Sequence, residues 1–500
     1  MNAAAETARE SLTALKALSG DPTTEGLSEA LLGPFLDQDP LLELACREAL
    51  ALRRAVEGEL DALILGPESA LISSLQSGYV NFYPADSVNP YVPLAARGPW
   101  VVTTHGGVIH DSGGYGMLGM GHGPQKVLDA MSAPYPMANV MTASLAQARL
   151  MERLKAEVGR SVEGEPFTGF QCLNSGSESV TLAMRISDIN AALETAPGAR
   201  HEGKAVRVLA LEGGFHGRTD RPARASDSSR PGYLKHLRSH AAGPELWITP
   251  PNDIAALEAT FARAEADGVF LELMLMEPVQ GEGNPGAAAT REFYDAARRL
   301  TRAHGAMLLV DSVQAGLRAT GDLSVVDYPG FEGCDPPDFE TWSKALNAGQ
   351  YPLSVLGLSP RAVALFKTGV YGNTMTTNPR ALEVACTVMD QLTPELRANI
   401  RDRGDEFVER LEALQAELPE GVITGVQGTG LLFSCELRSD IRVTGDEGVE
   451  VWLRRKGMGV IHGGENSLRF TPHFNVTSEE AALMVELVRQ SLVHFTRDDG

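Results

Sequence analysis

The spacing of apolar residues divides the chain into segments with different predicted structures. Residues 1–78 are rich in Ala, Leu and Glu, and apolar side chains such as Leu41, Leu44 and Ala45 recur at helical offsets. From 79 to 123 the composition changes to Gly, Pro, Val and Thr, with short extended runs such as WVVTTHGG between turn signals. We therefore predict an N-terminal helical extension over residues 1–78, followed by a boundary between domains.

The middle of the chain shows two alternating periodicities. Apolar strand-like runs alternate with helical patterns, which is typical of βαβ units on a mostly parallel sheet. The fold class predicted for this region is α/β. The clearest strand-like runs are VRVLAL at 206–211, LELMLME at 271–277 and AMLLVD at 306–311.

The last part of the chain combines helices with short strands. A long helical stretch follows Pro379, and after it come the strand-like segments GTGLLFSCEL and SLRFTP and a final helix. Thr477 and Glu480 have the spacing of a capping box at the start of that final helix. We expect a large domain at 141–378 and a smaller α+β domain that includes residues 379–500.

Composition and charge exclude several kinds of protein. The formal net charge of −22 is spread over both halves of the chain, which argues against nucleic acid as a partner. The five cysteines include no C-x-x-C pair, so we expect neither a disulfide framework nor a metal site, and a reducing compartment fits best. The first twenty residues lack the pattern of a leader and no run predicts a membrane span, so we expect a cytoplasmic protein.

Polar residues at the ends of strands are the first candidates for chemistry, because ligands of α/β sheets collect beyond the carboxyl ends of the strands. Asp311 closes the run AMLLVD, and Gln314 follows it closely. Lys344 follows another extended run, in FETWSKALNAGQYPLSVL, and precedes small residues and a turn. A lone aspartate of this kind usually caps a turn, and a lone lysine is usually solvated. Together they predict one site at the edge of the sheet.

Seven separated segments give the chain a resemblance to the class III pyridoxal-phosphate aminotransferases of fold type I, from about residue 90 to the end. Within that family the lysine segment is most similar to ornithine aminotransferase and related ω-aminotransferases. The resemblance implies a large domain with a mostly parallel central sheet, a small domain built from residues 79–140 and 379–500, and a homodimer with shared active sites. The segments, in order, are NSGSESVTLAMR, GGFHGRT, MEPVQGEG, LLVDSVQAG, SKALNAGQYPLS, NTMTTNP and SLRFTP.

The resemblance implies roles for the residues that would hold pyridoxal 5'-phosphate. Lys344 would form the Schiff base with the cofactor and move the proton during the reaction, and Asp311 would pair with the pyridine nitrogen. Gln314 would bind the phenolic oxygen, and Phe215 would stack on the ring. His216 is implied to lie at the cofactor too, without an assigned role.

The phosphate of the cofactor has its own set of implied contacts. Gly176 and Ser177 would present backbone N–H groups at the start of a helix, where the helix dipole and the free donors favour an anion. Thr374 matches a threonine that reaches the phosphate of the neighbouring subunit in this family. The active site would then be complete only in a dimer.

Three residues are implied to contact the substrate. Arg469, in SLRFTP, matches the arginine that binds the α-carboxylate, and Glu282 matches the glutamate that neutralises that arginine. Tyr115 falls on the position of a pocket tyrosine in ornithine aminotransferase. The implied reaction is a ping-pong transfer of an amino group from an amine or amino acid to a 2-oxo acid such as 2-oxoglutarate. Donors with a terminal ω-amino group are included.

The chain also departs from the family pattern. Ser312 stands where an acidic residue is usual, Thr376 and Thr377 replace paired glycines, and Gln427 replaces an arginine. The substrate of any one member is therefore not transferred to this chain. The stretch after Arg218 also departs, and we expect a solvated loop there, with a receptor for a phosphorylated or acidic substrate as the alternative. Its basic residues are Arg221, Arg224, Arg230, Lys235 and Arg238.

Other functions stay open at this point. A racemase, an aminomutase or a phospho-lyase of the same fold would use the same cofactor, and the basic stretch would suit the phospho-lyase. Arg469 and Glu282 favour transamination, and the intact Lys344 site disfavours a non-enzymatic scaffold. The run GEGNPG at 281–286 matches a dinucleotide-binding fingerprint, but Pro285 lies where the helix of such a site should begin.

Overall fold

The computed structural model describes residues 3–56, 58, 60–114, 116–241 and 245–497. Contacts between residues divide the chain into two compact units. Unit 1 comprises residues 1–125, 402–427 and 433–500, and unit 2 comprises residues 126–401 and 428–432. The domain boundaries expected at 78, 140 and 378 remain predictions.

Helices occur throughout the described part of the chain, and none of them there combines the length and the apolar character needed to cross a membrane. The helices predicted over residues 1–78 are found as α1 to α5. The helices are α1 Ala3–Ala17, α2 Glu29–Leu36, α3 Pro40–Ala55, α4 Asp61–Ile64, α5 Glu68–Gln76, α6 Gln125–Ser132, α7 Leu145–Glu157, α8 Gly176–Glu194, α9 Asp220–Ala225, α10 Arg230–His236, α11 Arg238–Ala241, α12 Ile254–Ala266, α13 Arg291–His304, α14 Pro360–Leu365, α15 Pro379–Met389, α16 Pro394–Glu417, α17 Val449–Arg455 and α18 Ser478–Phe495.

Within the described ranges the strands form three sheets, and the three strand-like runs predicted in the middle of the chain are confirmed as β5, β7 and β8. The strands are β1 Pro93–Arg97, β2 Trp100–Thr103, β3 Val108–Asp111, β4 Gly169–Leu173, β5 Ala205–Leu211, β6 Leu246–Thr249, β7 Val269–Met276, β8 Met307–Asp311, β9 Phe339–Trp342, β10 Ser354–Leu358, β11 Ile423–Thr429, β12 Leu432–Leu437, β13 Met458–Gly459, β14 Ile461–Gly463 and β15 Ser467–Phe470.

Unit 2 is built on a seven-stranded sheet with the order β4-β10-β9-β8-β7-β5-β6. All neighbours are parallel except β10, which runs antiparallel to β4 and β9, so the predicted mostly parallel α/β sheet is confirmed. Leu308 lies in a buried cluster with Phe293 of α13, while Met307 and Leu309 lie in another with Ile186 of α8. Since alternate residues of a strand point to opposite faces, helices cover both faces of this sheet.

Unit 1 carries most of two four-stranded sheets, with the orders β1-β2-β3-β13 and β11-β12-β15-β14. The N-terminal extension is bonded to this unit through its backbone. The N–H of Leu27 donates to the carbonyl of Val108 over 2.8 Å, and the N–H of Gly26 donates to that of Arg455 over 3.0 Å. The extension is therefore an integral part of unit 1.

The capping box predicted at the start of α18 is confirmed. The hydroxyl of Thr477 accepts the N–H of Glu480 over 3.2 Å, and Oε2 of Glu480 accepts the N–H of Thr477 over 2.7 Å. Oε1 of the same carboxylate accepts hydrogen bonds from His110 over 3.1 Å and His473 over 3.0 Å. Burial opposes the ionisation of Glu480, but these two histidines outweigh it and hold its pKa well below the usual range. One carboxylate thus joins the helix start to β3.

Candidate active site

The residues expected to hold the cofactor lie at the carboxyl edge of the sheet in unit 2. Strand β8 ends with Asp311, and its neighbour β9 ends two residues before Lys344. Asp311 pairs with Thr341 in the register of these parallel strands, and the N–H of Ser312 donates to the carbonyl of Thr341 over 3.0 Å. The carboxylate and the lysine therefore follow adjacent strands out of the same edge, as the sequence predicted.

Lys344 has an unusual backbone conformation. Its φ is +44°, in the left-handed region that side chains other than glycine rarely adopt, and that of Ala348 is +51°. The hydroxyl of Ser343 and the side-chain amide of Asn347 both donate to the carbonyl of Leu353, over 2.7 and 2.8 Å, and hold this turn. Such a conformation costs about 1–3 kcal/mol and is concentrated at functional sites. The strain points to a function for Lys344.

Asp311 is buried and bonded to a histidine. Its Oδ2 lies 3.0 Å from Nδ1 of His216, and its Oδ1 accepts the N–H of Val313 over 3.2 Å. His216 is also buried, and its backbone N–H donates to the hydroxyl of Ser226 over 2.8 Å. The sequence placed His216 near the cofactor without a role. The structure places it in hydrogen-bond contact with Asp311, where it can orient that carboxylate.

Glu277 is a buried residue of the site that the sequence analysis did not single out. Its Oε1 accepts the N–H of Phe215 and its Oε2 accepts that of Gly281, both over 2.9 Å. Burial raises the pKa of Glu277 to about 7, while His216 opposes the rise and Asp311 adds to it. The carboxylate fixes two loops at once. Its position directly after β7, at the same edge of the sheet, was the available signal.

Gln314 and Gly281 approach each other closely. A Cβ at position 281 would lie 2.3 Å from Cδ of Gln314, so only glycine leaves room for this amide. Gln314 is buried, and Phe215 is half-buried with the guanidinium of Arg218 5.1 Å from the centre of its ring. Gln314 and Phe215 thus both belong to the loops at this edge.

The start of helix α8 forms the other end of the site. The hydroxyl of Ser177 accepts the N–H of Arg218 over 3.1 Å. A Cβ at position 217 would lie 2.3 Å from that hydroxyl, and one at Gly176 would lie 2.8 Å from Cγ2 of Val313. Backbone N–H groups at a helix start have no intrahelical acceptor and favour an anion. This end can therefore hold a phosphate.

Together these groups fit pyridoxal phosphate. A lysine amine suits an aldehyde, a fixed buried carboxylate suits a protonated ring nitrogen, and a helix start lined by glycines suits a phosphate. The residues that supply them are Lys344, Asp311, Gly176 and Ser177, which all belong to unit 2. These residues of the chain thus fit the cofactor that the sequence implied.

Thr374 lies in an exposed segment of unit 2. Oε1 of Glu178, in the first turn of α8, accepts from the hydroxyl of Tyr371 over 3.1 Å and from the amide of Asn373 over 3.0 Å. Thr374 itself is exposed, and the neighbouring Met375 is 64% exposed. The expected contact of Thr374 with a second subunit stays a prediction.

The three residues expected to bind substrate lie in different parts of the chain. Arg469 lies on β15 in unit 1, buried between Ser434 of β12 and Ile461 of β14. Glu282 is half-buried in unit 2, in the loop that follows β7. Tyr115 lies outside the described residues. The roles expected for these three residues stay predictions.

The basic stretch after Arg218 is not the solvated loop that we expected. It forms the short helices α9, α10 and α11; α9 buries Pro222, Ala223 and Ala225, and Pro231 lies in the first turn of α10, where its fixed φ suits a helix. Arg221 is bonded to Glu272 over 2.6 Å, and Arg224 lies 3.3 Å from Asp220. These arginines are thus already paired with carboxylates.

Comparison with known proteins identifies the family of the chain. The family model described as aminotransferase class-III matches residues 82–492. An acetylornithine aminotransferase of Neisseria meningitidis serogroup B is 30% identical over 415 residues, which cover 81% of this chain and 95% of the relative. One of Thermosynechococcus vestitus is 32% identical over 324 residues, or 64% of this chain and 74% of the relative.

Solved structures show the same fold. The ornithine aminotransferase of Toxoplasma gondii ME49 superimposes with a TM-score of 0.73 at 21% identity, over 89% of this chain and 99% of that one. The acetylornithine aminotransferase of Elizabethkingia anophelis superimposes with a TM-score of 0.65 at 22% identity, over 85% of this chain and 99% of that one. The segments in the sequence therefore identified the family correctly, and this chain belongs to the class-III aminotransferases, which are pyridoxal-phosphate-dependent enzymes.

Proposed function

We propose that Lys344 holds the cofactor covalently and carries the proton in a transamination whose donor bears a terminal amino group. The observation that supports this most is the position of Lys344, in a strained turn, beside the buried Asp311–His216 pair at the ends of two adjacent strands. The amino group goes to a 2-oxo acid, for which 2-oxoglutarate is the candidate.

Each residue of the site has a separate task in this proposal. Bound pyridoxal phosphate supplies an electron sink for the carbon that loses its proton. Asp311, oriented by His216, binds the ring nitrogen, and Gln314 donates to the phenolic oxygen. Phe215, whose backbone Glu277 holds in place, covers a face of the ring. The N–H groups of Gly176 and Ser177, at the start of α8, would bind the phosphate.

The class of donor rests on the relatives. Several are named for ornithine or acetylornithine, amino acids with a nitrogen at the end of the side chain. Arg469 would bind the carboxylate of such a donor and of 2-oxoglutarate, with Glu282 as its alternative partner. A phosphorylated substrate is disfavoured, because Arg221 and Arg224 are paired with carboxylates of their own.

Absorption spectra test the proposed reaction. We expect the visible band of the cofactor-loaded enzyme to be bleached by ornithine, acetylornithine, lysine or 4-aminobutyrate and restored by 2-oxoglutarate. Alanine, which has no terminal amino group, is the matched control donor and should leave most of the band. A band that only alanine bleaches would overturn the donor class. A band that no donor bleaches would overturn transamination in favour of a same-fold racemase, aminomutase or phospho-lyase.

A homodimer with shared sites is also part of the proposal. Besides Thr374, unit 2 exposes several large apolar side chains at 85–96% of their full surface, which is unusual for surface that stays in water. A second copy of the chain would cover them. They are Met137, Met141 and Leu145.

Mixed dimers test whether Thr374 acts on the partner's cofactor. In a dimer of one Thr374→Ala and one Lys344→Ala subunit, shared sites leave one site intact and put both defects in the other. We expect such dimers to keep about half of the wild-type activity, because one of their two sites carries neither change. The Thr374→Ala homodimer is the control. The activity is compared per subunit that retains Lys344. If the mixed dimers are no more active on this basis than the Thr374→Ala homodimer, Thr374 does not act on the partner's cofactor.

We also propose that the enzyme works in the cytoplasm. All five cysteines are free in the structure, and burial raises the pKa of four of their thiols to about 12 and that of Cys334 to about 11. Thiols of this kind are unreactive packing residues, and proteins of oxidising compartments rarely keep so many unpaired.

A further inference from the structure

Unit 2 contains a cavity that the proposed reaction does not use. Its volume is about 200 Å³, and it lies against helices α8 and α9 and strands β5 and β6. A cavity of about 150 Å³ is large enough for benzene, so this one has room for a small organic molecule. Its apolar lining consists of Met184, Val206, Val208, Ala225 and Leu246.

A bulge in the sheet places a carboxylate in this cavity. Arg207 of β5 pairs with Leu271 of β7 and Val208 pairs with Leu273, so Glu272 is left without a partner on β5. Such an extra residue re-aims the side chain at that position, and bulges are frequent at functional sites. Glu272 lines the cavity although it is only 3% exposed.

Among the described residues, donors reach only one oxygen of this carboxylate. Oε1 of Glu272 accepts from Arg221 over 2.6 Å, whereas Oε2 is buried and accepts a hydrogen bond from none of the described residues. The hydroxyl of Ser187 lies close enough to lower the pKa of this carboxylate, but it donates to the carbonyl of Glu272 over 3.0 Å and not to Oε2. A buried carboxylate oxygen without a donor is costly, and a ligand that donates to it removes the cost.

We propose that this cavity binds a small organic cation, an amine or a guanidinium on a short apolar chain, whose N–H group donates to Oε2 of Glu272. Hydrogen bonds between two charged groups are the strongest of their kind. An anion is disfavoured, because Arg221 also lies 3.3 Å from Asp188 and Arg224 is paired with Asp220. The site is distinct from that of Lys344, so the proposal does not depend on the proposed reaction.

The charge of Glu272 gives the binding a pH dependence. Burial raises the pKa of Glu272 to about 7, Arg221 opposes the rise and Asp188 adds to it. The cation needs the ionised carboxylate, so binding is favoured above pH 7 and lost as Glu272 takes up a proton below it. Charged groups from every surrounding element line the cavity: Asp188 from α8, Arg207 from β5, Arg221 and Arg224 from α9, and Glu245 next to β6.

Calorimetric titration of the full-length, cofactor-loaded enzyme with butylguanidinium chloride tests the site. A guanidinium stays protonated and is a poor nucleophile toward the aldehyde of the cofactor, so the heat reports on this cavity rather than on Lys344. We expect saturable binding at pH 8 and binding weaker by up to about tenfold at pH 6, from the fraction of Glu272 that is ionised.

Variants separate this site from other binding. Glu272→Gln should weaken binding at least tenfold, while Glu245→Gln, an exposed acid at the same cavity, should change it less than twofold. Ala225→Leu adds apolar volume to the lining of the cavity and keeps the carboxylate, so it should also abolish binding. This second variant tests the site independently if Glu272→Gln fails to fold. No saturation with the wild-type enzyme, equal binding by Glu272→Gln, or equal binding at pH 6 and 8 would each overturn the proposal.

Discussion

Replacement of Lys344 by alanine is expected to lower the rate of transamination by at least about 10⁴-fold, because the variant loses both the group that holds the cofactor and the group that moves the proton. The visible band should be absent from the purified variant. Borohydride reduction followed by peptide mass mapping is the direct measurement. In the wild-type enzyme the cofactor should become fixed to the peptide that contains Lys344, and in the variant to no peptide.

The matched control for this result is Lys367→Ala, a change of an exposed lysine in the same unit. It should keep the band, the labelled peptide and the activity. Labelling of another lysine in the wild-type enzyme, or a Lys344→Ala variant with more than about a hundredth of the activity, would refute the assignment.

Replacement of Asp311 by asparagine is expected to lower kcat by about 10²–10⁴-fold with a smaller effect on KM. The amide keeps the shape of the carboxylate but lacks the charge that would hold a proton on the ring nitrogen. It also disturbs the bond with His216, which spans 95 positions of sequence. Single-turnover measurement of the bleaching by a donor isolates the step that should be slowed.

His216→Asn provides the comparison for Asp311→Asn. It removes a residue that orients the carboxylate but leaves the charge, so we expect a loss at least tenfold smaller, together with weaker cofactor binding. A kcat of Asp311→Asn within about tenfold of the wild-type value would contradict the role of Asp311. Equal losses in the two variants would mean that orientation, and not charge, is what the pair supplies.

The sequence predicted those residues of the site whose positions follow from the local pattern of apolar and polar residues. Asp311 ends an apolar run and Lys344 follows another, so the alternation of strands and helices sufficed to put both at one edge of a sheet. Glu277 ends the apolar run LELMLME in the same way, so its place at this edge was predictable, but its bonds to the backbone of Phe215 and Gly281 were not. His216 ends no such run, and its role arises from a contact with Asp311, 95 positions further along the chain.

Local conflicts between pattern and structure explain the rest. The stretch after Arg218 lacks the apolar period of a long helix, but α9 is short, buries Pro222, Ala223 and Ala225, and forms ion pairs through Arg221 and Arg224. The docking of the extension was also not predictable. Gly457 has a φ of +98°, and a Cβ there would lie 2.4 Å from the backbone nitrogen of Leu27, a close approach that no periodicity announces.

The discontinuity of unit 1 has a consequence for the order of folding during synthesis. Strand β3 pairs with β13, which is synthesised about 350 residues later. His110 of β3 bonds to Glu480, which lies 370 positions further along the chain, so this bond can form only near the end of synthesis. Unit 2 is almost continuous, so it can close while the remainder is still being made. The extension and the first strands must therefore stay available, without their final partners, until the last helix leaves the ribosome.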